Sequence, residues 1–197
     1  MIARAVALIA LIGGVAHADP DQAAIEAGDA NLASDGHRTG VTFAAAIGPG
    51  LMVGFGLQDS VGRGGALSLR LGHVADPRTV ITLELQITAA LHKLAINSDA
   101  ASNTETNLLV GAQRYVNPSL WLRGAGGLGV YKADQVQLSN GQLGTQTIVG
   151  PAALFGLGID LARFKSSTLG LEFAAALMVS STGALLTTAA DINLAFD

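Results

Sequence analysis

Between residues 80 and 91 the chain alternates, with only Val80 and Ala90 out of step. Ile81, Leu83, Leu85, Ile87, Ala89 and Leu91 are apolar, and Thr82, Glu84, Gln86 and Thr88 stand between them. In a strand the two sets project from opposite faces. A helix would scatter Glu84 and Gln86 over its surface, so the segment reads as β. The same period marks seven further stretches, near residues 41–57, 67–72, 107–113, 120–130, 155–161, 169–177 and 191–196. That makes eight strands, an even number. Ala-Asp-Pro-Arg (75–78), Val-Asn-Pro-Ser (116–119) and residues 162–167 read as short turns. Residues 58–63, 92–103, 132–146 and 180–184 read as loops, the middle two long and polar. The pattern predicts an all-β fold, an eight-stranded antiparallel up-and-down barrel with both termini at the short-turn end.

Composition decides which face of the wall meets what. Half of the 197 residues are hydrophobic and only 13% are charged, against about 25% charged in an ordinary soluble domain. One face of each strand is Leu, Ile, Val and Phe. The other is mostly Gly, Ala and Thr, which offers water very little. A soluble secreted ligand-binding barrel needs an exterior rich in Lys and Glu. A transmembrane β-barrel, apolar outside with small and polar residues inside, accounts for both faces. An open sheet is excluded because lipid cannot satisfy its edges.

The first residues read as a signal. Arg4 precedes an apolar run from Ala5 to Val15, too short to span a bilayer, and Ala16-His17-Ala18 suits a signal peptidase. The expected organisation is a cleaved signal peptide at 1–18, a flexible periplasmic segment at 19–40 and the barrel at 41–197. With no cysteine there is no disulfide, lipid-anchored cysteine or thiol chemistry. A net charge of −4 gives no reason to expect nucleic acid as a partner.

The period also nominates a site. Arg70, Glu84, Arg123, Asp160, Glu172 and Asp191 fall on the inward face. Arg70 and Glu84 lie symmetrically about Pro77, so a hairpin there sets them opposite one another. The expectation is an ion-paired filling of the lumen, in which reversing both charges is tolerated better than reversing Arg70 alone. The acidic excess favours cations if water enters. Four aromatics are candidates for the membrane interface: Tyr115 and Trp121 about the Pro118 turn, and Tyr131 and Phe196 at strand ends. Arg114 falls outward near a turn, where its stem can snorkel. Inner glycines and alanines leave volume for water, a ligand or residues 19–40. His37, His73 and His92 are the histidines beyond the signal. His92 with Ser98, Asp99 and Glu105 is a weak catalytic constellation. No phosphate-loop motif and no metal-ligand spacing occurs.

Alternating strands, short turns, the glycine-punctuated segments GAGGLGVYK and ALFGLGIDL, and the final strand DINLAFD together resemble small bacterial outer-membrane barrels of the OmpA/OmpX/OmpW-like group. The resemblance spans 41–197 and rests on pattern rather than on one motif. It implies a monomer in outer-membrane lipid, delivered by periplasmic chaperones and the barrel-insertion machinery. With the weak catalytic and metal signals above, the expected role is structural, binding or a narrow pore, without catalysis, metal or cofactor. A lipid-modifying enzyme on the same barrel is the alternative. Such barrels commonly end on an aromatic residue that the insertion machinery reads. Here Phe196 is penultimate and Asp197 is last.

Overall fold

A computed structural model describes residues 40–57, 61–93, 100–137 and 143–196. The predicted signal peptide, residues 19–39 of the periplasmic segment (His37 among them), Ser98, Asp99 and Asp197 lie outside the described residues. The strands are β1 (Val41–Phe55), β2 (Gly62–Asp76), β3 (Thr79–Lys93), β4 (Ala100–Tyr115), β5 (Leu120–Gln137), β6 (Leu143–Arg163), β7 (Ser167–Val179) and β8 (Ala184–Phe196). Each pairs antiparallel with its neighbours in sequence, and β1 also pairs with β8, closing the barrel. Closure leaves no unpaired edge, the condition a β-structure must meet inside lipid.

Alternation in sequence becomes alternation in burial. On β3, Ile81 and Leu83 are 46% and 47% exposed, while Thr82, Glu84 and Gln86 are at most 4% exposed. Large apolar side chains cover the outer wall of every strand, among them Leu71, Leu108, Leu128, Phe155 and Phe173. Ionisable groups on that wall stand towards its ends. His73 and Arg114 lie near the short turns, and Arg63 and Lys132 near the opposite end. Leu122, the register partner of Arg114, is ten residues from Lys132 along β5. At about 3.4 Å per residue and a tilt of about 40°, the uncharged band between them is about 25 Å tall. That matches the apolar belt of a membrane barrel.

The short turns are set by local chemistry. Asp76 Oδ1 accepts the Arg78 amide at 2.8 Å, and Asn117 Oδ1 accepts those of Ser119 and Leu120 at 2.9 and 2.8 Å. Such Asx contacts substitute for ladder bonds where the chain reverses.

The ladder extends beyond the apolar period. β3 runs to Lys93, β4 starts at Ala100, β5 runs to Gln137 and β6 starts at Leu143, so much of the expected loops 92–103 and 132–146 is strand. Lys132 pairs with Thr147 and Ala133 with Gln146 before the register shifts towards Val136. Beyond the apolar belt neither face carries the hydrophobic period, yet cross-strand pairing continues after that signal has ended. The same holds at 58–63, where β2 has already begun by Gly62.

Candidate functional site in the barrel lumen

The turn-side half of the lumen is crossed by charge. Arg70 on β2, Glu84 on β3, Arg123 on β5, Glu172 on β7 and Asp191 on β8 are each at most 3% exposed. Arg123 Nη1 lies 2.9 Å from Glu84 Oε1, and its Nη2 meets Glu172 Oε1. Arg70 Nη2 meets the other oxygen of Glu172 at 2.7 Å and also donates to Asn193 Oδ1. Ser68 Oγ donates to Glu84 at 2.8 Å. Glu172 thus accepts from two guanidinium groups, and Arg123 spans two carboxylates. Charge-assisted bonds of this kind are the strong ones, and their disruption leaves a charge stranded in a medium that cannot solvate it.

Arg70 and Glu84 are direct register partners across β2 and β3. Their charged ends nevertheless turn to other partners, Arg70 to Glu172 and Glu84 to Arg123. The expected two-residue pair is therefore replaced by bridges across the lumen. A guanidinium is long enough to reach the far wall of so narrow a barrel, and Glu172 offers it a second acceptor. Reversing both residues keeps opposite charges at register positions 70 and 84 but sets like charges against Glu172 and Arg123, so the double reversal is expected to recover less than an isolated pair would. Asp160 forms a separate group, accepting from Trp121 Nε1 at 3.1 Å and Arg163 Nη2 at 3.3 Å.

The small residues of the inner face fit the large ones. The Trp121 indole lies over Gly158, where any β-carbon would overlap the ring. Its face is 5.4 Å from the Arg70 guanidinium carbon, a cation–π contact. The Arg123 side chain covers Gly156, and Met178 covers Gly129. Much of the inner volume that glycine seemed to leave is therefore filled. A cavity of about 30 Å³ near the turns, bordered by Thr42, Arg70, Gln113 and Tyr115, has room for one or two waters.

Three of the four candidate interface aromatics do not face lipid. Tyr115, Trp121 and Tyr131 are at most 6% exposed and belong to the interior. Tyr115 and Trp121 are register partners that pack with Val80 beneath the charges. Tyr131 packs with Met52, Leu109, Met178 and Leu185 farther along the lumen. The cause is parity: all three share the phase of Arg123 or of Gln113, and β5 continues to Gln137, so Tyr131 is not at a strand end. Phe196 does lie on the outer wall and stacks on Phe43 with ring centroids 6.4 Å apart, across the seam where β8 meets β1. Phe196→Ala is expected to lower stability by about 1 kcal/mol, seen as an earlier midpoint in urea unfolding.

Glu105 escaped the list of lumen charges. It is fully buried and points inward. The signal is in the sequence, since Glu105 shares the phase of Asn107, opposite to that of Leu108 and Val110. Among the described residues no cluster of His, Cys, Asp and Glu is placed to hold a metal ion. His73 stands on the outer wall between Val41 and Ile81 in the register, away from these carboxylates.

No family model and no curated protein matches the sequence. Solved structures match the fold. Ail, the attachment invasion locus protein of Yersinia pestis, crystallised with the heparin analogue sucrose octasulfate, superposes with a TM-score of 0.57 at 14% identity. The match covers 81% of this chain and 100% of that one. Neisserial surface protein A superposes with a TM-score of 0.57 at 11% identity, over 80% of this chain and 97% of that one. Both are small outer-membrane barrels of eight strands, and the likeness is one of fold.

Proposed function

We propose that the chain is a bacterial outer-membrane barrel that acts as a structural or binding scaffold, its lumen closed by the Arg70–Glu84–Arg123–Glu172 bridges. The observation that carries this reading is the inversion of burial: exposed Leu, Ile, Val and Phe outside, buried charge inside. Only a lipid-facing wall makes that arrangement favourable. The fold shared with Ail and the neisserial surface protein supports the location. The interlocked charges and the side chains seated over Gly129, Gly156 and Gly158 support a closed rather than an open bore. Eight-stranded barrels have interiors just wide enough for side chains to fill. On this reading the chain carries no catalytic site, works as a monomer, and meets periplasmic chaperones and the insertion machinery on its way to the membrane.

Two assays test it together. After cell fractionation the protein should sediment with outer membranes and show heat-modifiable gel mobility. Refolded into planar bilayers, it should give no sustained open-channel current. Recovery in the soluble periplasm without detergent contradicts the location, and a steady ohmic conductance contradicts the closed lumen.

A further inference from the structure

The outer wall opens where β1 and β2 part, at the end away from the short turns. Their ladder stops at Met52 and Gly62, whereas β1 stays paired to β8 as far as Phe55 and Ala184. The parting leaves a groove of about 480 Å³. Leu51 and Val53 of β1, Val61, and Leu91 of β3 give it apolar walls, and each is at least 36% exposed. Its volume lies within the range of clefts that hold small ligands, about 300–1,000 Å³. The next outward row along the wall is Pro49, Gly65 and Ala89. It is shallow, since a β-carbon at Gly65 would meet only the Gly48 carbonyl oxygen, at 3.8 Å. The groove therefore runs on towards the apolar belt instead of ending against bulky side chains.

Arg63 is the one charged residue lining the groove among those described. In the register it stands between Leu51 and Leu91 on the outer wall. Among the described residues no carboxylate pairs with it. Lys132, the other cation named at this end of the wall, stands 3.8 Å from Asp134. An exposed arginine at the edge of an apolar belt keeps its stem on the apolar surface and its head at the depth of lipid headgroups. The guanidinium stays charged, and its planar fork matches a phosphate bidentately. A zwitterionic headgroup brings its own ammonium to that phosphate, so an anionic lipid complements the unpaired cation better.

We propose that this groove holds one anionic phospholipid, its phosphate on the Arg63 guanidinium and part of an acyl chain along Leu51, Val53, Val61 and Leu91. The inference rests on the lipid-facing reading of the wall given above. It names the class of lipid and the place where that lipid is held.

The probe is phosphatidylglycerol against phosphatidylcholine, each titrated into the refolded full chain in detergent micelles. Native mass spectrometry counts the lipids that stay bound, and heat-modifiable mobility checks that each variant is folded. One phosphatidylglycerol is expected to be retained in preference to phosphatidylcholine. Arg63→Gln is expected to weaken its retention about five-fold, the scale of one basic residue at a lipid surface. Lys132→Gln is expected to leave retention unchanged. Val61→Trp fills the groove while keeping the charge, and is expected to weaken retention as well. Equal retention of the two lipids by the wild type overturns the proposal, and so does undiminished retention in Arg63→Gln, because the lipid is then held elsewhere. Dimers that vanish in Val61→Trp overturn it too, since the occupant is then a second copy of the chain. A barrel that folds in micelles and inserts into phosphatidylcholine vesicles without any lipid preference contradicts this site alone. A chain that stays soluble without detergent contradicts the lipid-facing wall, and the site with it.

Discussion

Arg123→Met is expected to destabilise the barrel by about 3–5 kcal/mol, the range for removing one partner of a buried ion pair. Arg123 is the residue that touches both Glu84 and Glu172. Methionine fills most of the volume over Gly156 but leaves Glu84 with only the Ser68 hydroxyl and Glu172 with only Arg70. Urea unfolding in micelles, followed by tryptophan emission, measures the change. Adding Glu84→Gln to Arg123→Met is expected to recover part of the loss, because it removes the charge left stranded. A loss below about 1 kcal/mol, the level of an exposed salt bridge, means that the bridges contribute little and that the lumen is wetter than the structure implies.

Gly158→Val is the second large effect. A side chain at 158 occupies the space of the Trp121 ring, so either the indole leaves or the strand shifts. Departure of the ring breaks its bond to Asp160 and its contact with Arg70. Overpacking a close-fitted interior costs about 1–3 kcal/mol by itself, and the lost polar contact adds about 1 kcal/mol more. Trp121 is the only tryptophan in the chain, so its emission reports this site alone. A red shift and an earlier unfolding midpoint are expected. Unchanged emission with an unchanged midpoint shows that the ring does not rest on Gly158.

Strand count, strand direction and the inward set are legible because the outside and the lumen of a closed barrel impose opposite demands on alternate residues. Glu84 between Leu83 and Leu85 states its face without any structure. What the period cannot state is which inward groups meet. Arg70 and Glu172 are 102 residues apart, and their contact depends on barrel closure and on the stagger of the strands. Local symmetry about Pro77 correctly aligned Arg70 with Glu84 in the register, yet long side chains bypass the residue directly opposite. Tyr131 was misread because strand ends were placed where the apolar period stops, whereas pairing continues six residues further to Gln137. The inner glycines looked like empty volume because sequence alone does not show that Trp121, Arg123 and Met178 lie across them.

The central claim, a wall with lipid outside and a closed lumen inside, is open to direct measurement because the chain has no cysteine. Single cysteines at positions 81 to 87 of β3, each spin-labelled in the protein refolded into lipid bilayers, allow collisions with oxygen and with a water-soluble nickel chelate to be compared. The account predicts that labels at Ile81, Leu83, Leu85 and Ile87 collide readily with oxygen and scarcely with nickel. Labels at Thr82 and Gln86 should be shielded from both. High nickel accessibility at the odd positions, or at the even positions with oxygen excluded, contradicts it.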